Sequence, residues 1–410
     1  MKRDLSRDLG SIRKEFPILE RCVYLISNSL GAVPRKAKDY LERFYSMWAE
    51  EGVSAWEREW WDLSRKVGNQ VASLLGAGRD EVTMMANATL CHWIALSTQF
   101  KAAQIGDDQR NRIIMTEHDF PSVLYAVKKI SDFAGWELEV IESHGQPGID
   151  AEAVLNKIDE RTLFIATSHV YFKSAYIQDI KRIASKARES GALTLIDGYH
   201  APGVIPVDVK QLDVDFYIGG CLKWLCGGPG NAFLYVSPEL ADKLEPRLTG
   251  WFAHRDPFLF SQEMTYTQGS YRFMSGTPPI PCLYAARAGL EIVQEIGVPE
   301  IRKKSLALTK LILDETQKRD FHLFTPAEEK YRAGAVSFGL PHAFAVKQAL
   351  GQRGVKVDFR IGEGKEPDIL RIGPHFYTKE EEIEVLFREI EAIYQSGEYK
   401  KFSEDIRHVT

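Results

Sequence analysis

Short runs of apolar residues alternate with longer amphipathic segments along the chain from about residue 80. The short runs have the length of strands, and the longer segments carry apolar residues at helical spacing. This alternation predicts an α/β protein with a mostly parallel sheet that is covered on both faces, whose ligand binds beyond the carboxyl ends of the strands. The strand candidates lie in EVTMMANAT, RIIMTEHDF, WELEVIES, TLFIATSHV, ALTLIDGYH and VDFYIGG, and the helical candidates are Leu90 to Ala103, VLYAVKKISDFAG and DIKRIASKARESG.

The proline-rich segment SGTPPIPC, residues 275–282, interrupts this alternation. A helix-like stretch, 283–318, follows it, then a strand-like AVSFGL and a final helix around 379–396. These patterns predict a large domain at 31–280 and a smaller α/β domain at 281–410. The N-terminal segment, 1–30, is expected to pack against the small domain.

Length and composition fit two folded domains. The chain has 410 residues, of which 44% are hydrophobic and 27% charged, as in globular proteins with a substantial core. The net charge of -5 argues against a general nucleic-acid binder, which usually carries a basic excess. A small anionic ligand needs only a local positive site, so such ligands stay possible.

Neither a secretory signal nor a membrane span is expected, because the basic N-terminus lacks an apolar core and polar residues break every long apolar run. The five cysteines are scattered and odd in number. This pattern predicts that the cysteines form neither a disulfide framework nor a zinc site, and that the protein works in the reducing cytoplasm.

Asp197 and His200 come at the end of a predicted strand, in IDGYHAPG. A carboxylate buried there could pair with a protonated heterocycle nitrogen. The alternative is that Asp197 caps a loop and His200 is a packed loop histidine.

Lys223 follows another apolar strand, between Leu222 and Trp224. Loss of hydration favours the neutral, nucleophilic form of such a lysine. The alternative is a lysine that reaches from a turn into solvent. The GGPGN segment that follows lacks the lysine and serine of a phosphate-binding P-loop.

Two further signals point to bound anions. Residues 87–89, Asn-Ala-Thr, lie where a strand passes into a helix, and a helix N-terminus with a threonine hydroxyl can hold a phosphate; helix capping would explain the same residues. Arg371 lies in the strand-like ILRIGPHFY, where a fixed guanidinium suits an α-carboxylate. A structural ion pair is the alternative there.

The order and spacing of these residues resemble the class V aminotransferase family. The run from Asp197 through PVDVKQLDVDFYIGGCLKW to GNAFLYV is similar to the family's Asp, its PVDV and LD-DF segment, and its lysine about 26 residues after the Asp. The resemblance implies fold type I: a large domain with a mostly parallel seven-stranded sheet and a small C-terminal α/β domain. It also implies pyridoxal 5′-phosphate (PLP) as cofactor.

Four segments resemble the kynureninase branch of that family, and the resemblance covers about residues 20 to 390. The segments are YLISNSLGAVP, EHDFPS, GWFAH and DILRIGPHFY. The resemblance implies that Lys223 forms a Schiff base with PLP, that Asp197 pairs with the pyridine nitrogen and that His200 lies near the ring oxygen or phosphate. It also implies that Phe120 stacks on the cofactor ring and that the phosphate is bound by Asn87, Ala88 and Thr89. On the substrate side, it implies that Arg371 binds the carboxylate and that Trp251 and Asn28 line the pocket.

The sequence departs from kynureninases at three places. Leu222 stands where they have a tyrosine, Val123 replaces an aspartate, and a segment that contains Thr277 replaces Ser-Asn-Pro-Pro. The last segment resembles a loop of cysteine desulfurases whose threonine reaches the phosphate of the neighbouring subunit. A homodimer with shared active sites is therefore expected.

The leading hypothesis is a kynureninase-like hydrolase or lyase that acts on a small amino acid through a Cα carbanion. The alternative is a class V transaminase. A cysteine desulfurase is disfavoured, because it needs a mobile thiolate in the small domain and no cysteine follows Cys282. From other classes, a nucleotide-binding protein lacks the GxGxxG motif, and a non-catalytic binding module would hold no cofactor on Lys223.

Overall fold

A seven-stranded sheet forms the centre of the computed structural model, which describes residues 10–100, 110–362 and 367–402. Its strand order is β2-β8-β7-β6-β5-β3-β4, with β8 antiparallel to both neighbours and the other pairs parallel. The strands of the chain are β1 (Val23–Tyr24), β2 (Val82–Met85), β3 (Arg112–Thr116), β4 (Glu137–Ile141), β5 (Thr162–Ser168), β6 (Leu193–Asp197), β7 (Phe216–Gly220), β8 (Ala232–Val236), β9 (His322–Leu323), β10 (Val336–Gly339), β11 (Val355–Lys356), β12 (Asp358–Arg360) and β13 (Ile369–Ile372).

Both faces of this sheet are buried. Successive side chains of a strand point to opposite faces, and in β7 Phe216 and Ile218 join one apolar cluster while Tyr217 joins another. The α-helices are α1 (Lys36–Glu51), α2 (Leu63–Leu74), α3 (Ala88–Ser97), α4 (Pro121–Ala134), α5 (Ala151–Leu155), α6 (Ile180–Ser190), α7 (Val209–Leu212), α8 (Pro238–Ala241), α9 (Ile280–Ile296), α10 (Val298–Lys318), α11 (Ala343–Gln352) and α12 (Glu380–Ser396).

A second, four-stranded sheet lies in the C-terminal part, with the order β12-β13-β10-β9 and antiparallel pairs throughout. The N-terminal segment joins this part of the molecule, because β1 pairs with β11 in parallel. The carboxylate of Glu382 also accepts hydrogen bonds from Arg13.

Two helix predictions were wrong in extent. The stretch 283–318 is two helices, because the chain breaks at Gly297, whose φ of 84° lies in the left-handed region that suits glycine. The helix predicted from Leu90 to Ala103 runs from Ala88 to Ser97, and 101–103 lie outside the described residues.

The α/β class and the mostly parallel seven-stranded sheet are confirmed. The domain boundaries after residues 30 and 280 stay predictions. Among the helices that the structure describes, none is long and apolar enough to span a membrane.

Candidate active site

A cavity of about 230 Å³ opens at the carboxyl ends of the central parallel strands. Ser168 ends β5 and Asp197 ends β6, and both line the cavity. Lys223 follows the end of β7 by three residues and lines it too. Since neighbouring parallel strands end at one edge of the sheet, the fold brings these residues together although 55 positions separate Ser168 from Lys223.

Lys223 is hydrogen-bonded to a histidine that also lines this cavity. Its Nζ contacts Nε2 of His200 and lies 4.8 Å from the ring centroid of Tyr199. Burial, with the nearby Arg371 guanidinium as a second cause, lowers the pKa of Lys223 to about 7. Burial, and then the charge of Lys223, holds the pKa of His200 well below its usual value. His200 is therefore a neutral acceptor for the lysine ammonium near neutral pH.

Asp197 presents a buried carboxylate to the same cavity. Its Oδ1 accepts a hydrogen bond from the backbone N–H of Tyr199 at 2.8 Å, which fixes the side chain at the strand end. Cavity-lining Asp197 and Lys223 form a pair of opposite charge, with the negative charge of Asp197 acting to raise the lysine pKa against the larger effect of burial.

The first turn of α3 forms another wall. Asn87, Ala88 and Thr89 all line the cavity. The side chain of Asn87 accepts the N–H of Leu90 at 2.9 Å, so the capping alternative is correct for this side chain. The first N–H groups of a helix lack partners within the helix, so the turn that begins at Ala88 still offers donors and a positive dipole end to an anion.

Two aromatic rings, those of Phe120 and Phe172, form a further part of the wall. Phe120 packs edge-on against Phe172, with 5.2 Å between ring centroids, and lies 5.8 Å from Nζ of Lys223. Asp119 fixes the loop between β3 and α4, which carries Phe120, because its carboxylate accepts the N–H groups of Thr116 at 2.9 Å and Ser168 at 2.6 Å. Burial raises the pKa of Asp119 to about 6.

Two of the three departures from the kynureninase pattern lie on the cavity wall. Leu222 and Val123 both line it, and Val123 is buried. The wall is therefore apolar at the two positions where that pattern has a tyrosine and an aspartate.

Arg371 and Asn28 do not line the cavity, and both contact the same residue, Asp358. Arg371 forms an ion pair with Asp358 and donates to the carbonyl of Phe172, which does line the cavity. Asn28 donates to Asp358 at 3.4 Å. The structural ion pair considered for Arg371 is thus present. The guanidinium also contacts the cavity wall from behind, through its hydrogen bond to Phe172.

Trp251 and Thr277 are not brought to the cavity within one chain. Trp251 is 40% exposed and packs against Trp61, Phe258 and Phe260. Thr277 is exposed in the loop before α9. Their predicted roles stay predictions.

Three residues of the site were missed by the sequence analysis. Tyr199 stands between Asp197 and His200 in IDGYHAPG, so the motif itself carried the signal. Phe172 follows β5 by four residues, and its strand-end position was the available signal. Nothing in the sequence pointed to Asp358.

The comparisons with known proteins agree with this geometry. The model of the family described as "Aminotransferase class-V" matches residues 23–386. The chain belongs to this family. Its relatives include kynureninases from Pseudomonas fluorescens, 34% identical over 382 residues that cover 90% of this chain and 88% of the relative, and from Burkholderia mallei, 31% identical over 380 residues with the same coverage.

Solved structures show the same fold. The cysteine desulfurase of Thermococcus onnurineus NA1 superposes with a TM-score of 0.83 at 22% identity, covering 94% of this chain and 98% of that one. A cysteine desulfurase of Escherichia coli gives 0.81 at 20% identity, covering 95% and 98%. The predictions of the family, of an enzyme and of PLP as its cofactor are confirmed.

The residues at the cavity fit that cofactor. A lysine with a lowered pKa, a buried carboxylate, a helix N-terminus and an aromatic ring line one enclosed space. These groups match, in turn, an aldehyde, a protonated ring nitrogen, a phosphate and a ring face.

Proposed function

We propose that the chain is a PLP-dependent hydrolase or lyase of the kynureninase type, acting on a small amino acid. The observation that carries the proposal is the half-buried Lys223, hydrogen-bonded to His200 in a cavity that Asp197 also lines. The kynureninase relatives at 31–34% identity support the reaction class.

Bound PLP would supply the electron sink that stabilises a carbanion at Cα of the substrate. Asp197 would accept a hydrogen bond from the cofactor's ring nitrogen and keep it protonated. Phe120 would cover the ring, and the α3 N-terminus with Thr89 would hold the phosphate. Each assignment follows from the group that the residue presents to the cavity.

Lys223 would move the proton at Cα. A general base works best when its pKa lies near the working pH, and burial brings the pKa of this lysine to about 7. His200, held neutral by burial and by the lysine's charge, would orient Nζ through the hydrogen bond between them.

The apolar wall would select the substrate. Leu222 and Val123 offer no hydrogen bond to a side-chain ketone. An apolar pocket discriminates against a substrate that carries an additional polar group by about 10²-fold. We therefore propose an amino acid other than kynurenine as the preferred substrate.

The same wall favours transamination as the second candidate, because that reaction needs no proton donor at the substrate side chain. Cysteine desulfuration stays disfavoured. All five cysteines lie in described parts of the chain and are buried or half-buried, and burial raises the pKa of Cys221 and Cys226 to about 12, so these thiols are poor nucleophiles.

We also propose that the protein works as a cytoplasmic homodimer in which Thr277 of one copy binds the phosphate in the other. The support is the exposure of Thr277 in its proline-rich loop and the large exposed apolar side chains of the aromatic segment Phe258, Leu259 and Phe260, which suit an interface.

A panel of L-amino acids that includes kynurenine tests the proposed function. The purified protein is loaded with PLP, and each amino acid is scored by the absorbance change of the cofactor and by chromatography of the products. Borohydride reduction and peptide mapping should place the pyridoxyl group on Lys223. A label on another lysine, or release of a keto acid from every reactive amino acid without cleavage, would contradict the hydrolase or lyase assignment.

A further inference from the structure

Asp358 and Arg371 are paired directly across two strands. In the antiparallel register of β12 and β13, Asp358 lies opposite Arg371, so both side chains point to the same face of the small sheet. Asp358 is fully buried and Arg371 is 1% exposed. A buried guanidinium needs a compensating charge, and Asp358 supplies it.

Asp358 is itself fixed from three other directions. Its Oδ1 accepts hydrogen bonds from Arg360 at 2.7 Å and from the backbone N–H of Phe359 at 2.8 Å. Its Oδ2, which contacts Arg371, also accepts from Asn28 at 3.4 Å. The carboxylate is thus a rigid support rather than a mobile partner.

The support of Arg371 continues to the loop between β7 and β8, which carries Lys223. Gly31, three residues after Asn28, donates its N–H to the carbonyl of Leu222 at 2.9 Å. A side chain at Gly31 would come within 2.0 Å of the Lys223 carbonyl oxygen. The segment that steadies Asp358 therefore lies directly on the backbone of Lys223.

Arg371 keeps hydrogen-bonding capacity for a ligand. Asp358 and the Phe172 carbonyl engage its two terminal nitrogens, while the buried Nε has no partner among the described residues. A guanidinium has five N–H donors, so donors remain. The two guanidinium groups of Arg360 and Arg371 and the one carboxylate of Asp358 carry a net charge of one positive unit. This net charge matches that of one substrate carboxylate.

We infer that Asp358 is a positioning residue, which orients the Arg371 guanidinium for the carboxylate of the amino-acid substrate. This inference rests on the proposed function. It predicts the opposite of simple electrostatics: neutralising Asp358 makes the site more positive, yet it weakens carboxylate binding because the guanidinium loses its orientation.

The test compares L-alanine with ethylamine, which lacks the carboxylate, as ligands of the PLP-loaded protein. Each is titrated against the absorbance of the bound cofactor. In the wild type, L-alanine should bind about ten- to hundredfold more tightly, the contribution of hydrogen bonds to a charged group. In Asp358→Asn and in Asp358→Glu, the ratio should fall to about threefold or less, with ethylamine affinity unchanged.

Asp368→Asn is the matched control, since Asp368 lies beside the same sheet and bonds to the N–H of Gly362 rather than to Arg371. Its ratio should equal that of the wild type. Cofactor content and thermal unfolding are measured first, and Asp358→Glu keeps the buried charge, so a folded variant is available.

If the Asp358 variants keep or raise the preference for L-alanine over ethylamine, the inference is overturned. A raised preference would show that Asp358 competes with the substrate carboxylate for Arg371. Equal binding of L-alanine and ethylamine in the wild type also overturns it, while leaving the cofactor chemistry intact. Failure of the protein to take up PLP, in contrast, overturns the proposed function itself.

Discussion

Lys223 and His200 share a hydrogen bond between Nζ and Nε2 in the cavity at the carboxyl ends of the central strands. Burial disfavours the charged form of each; the Arg371 guanidinium adds to this effect at the lysine, and the charge of the lysine adds to it at the histidine. The result is a lysine whose pKa falls to about 7 and a histidine that stays neutral.

We predict that the apoprotein captures PLP at a rate that rises about tenfold per pH unit below pH 7 and levels off above it, because only the neutral amine of Lys223 reacts. Stopped-flow absorbance between pH 6 and 10 measures the rate, with Nα-acetyl-lysine as the control. A rate that keeps rising to pH 10 would show an ordinary lysine.

The lowered pKa also affects stability. Between pH 7 and the ordinary value of 10.5, the unfolded chain binds more protons at this lysine than the folded one. This group therefore makes the apoprotein more stable as the pH rises through that window. Lys223→Met should remove this contribution, as thermal unfolding of the two apoproteins at pH 7 and pH 9.5 would reveal.

Asp197→Asn should bind PLP but lose at least about 10²-fold in turnover, since an amide cannot keep the ring nitrogen protonated. Asp215→Asn is the matched control, because Asp215 is a half-buried carboxylate that accepts the backbone N–H of Thr194 near the opposite end of β6. Turnover per bound cofactor should be unchanged there. Near wild-type turnover in Asp197→Asn would remove this residue from the mechanism.

Thr277→Ala should weaken PLP binding about tenfold, the loss of one hydrogen bond to a charged group, without dissociating the dimer. Equilibrium dialysis and sedimentation velocity measure the two quantities. Thr265→Ala, at another exposed threonine, should change neither. A fully active monomer would contradict the shared site.

Kynurenine should be a poor substrate, and Leu222→Tyr combined with Val123→Asp should improve it, because the two changes restore polar groups at the cavity wall. Leu222→Phe, which adds the ring without the hydroxyl, is the control. Anthranilate release gives kcat/KM. A wild-type value of about 10⁴ M⁻¹s⁻¹ or above would show a true kynureninase.

The sequence predicted the parts of the site that follow strand ends. Asp197 ends one buried apolar strand and Lys223 follows another by three residues, and the parallel pairing of these strands brings the two positions together. The Asp358–Arg371 pair depends on the register of two antiparallel strands, which no local pattern specifies. In our proposal Thr277 reaches a site only in a second copy, so one chain's sequence pattern could not locate it.

The N-terminal segment has a consequence for the order of folding. Ser27 and Tyr377 share a hydrogen bond of 2.7 Å across 350 positions, and Val23 pairs with Val355. Contacts so distant along the chain form late and slowly. During synthesis Val23 and Ser27 emerge from the ribosome well before their partners Val355 and Tyr377. These contacts of the N-terminal segment can therefore form only after residue 377 has left the ribosome, when the residues that line the cavity have long emerged.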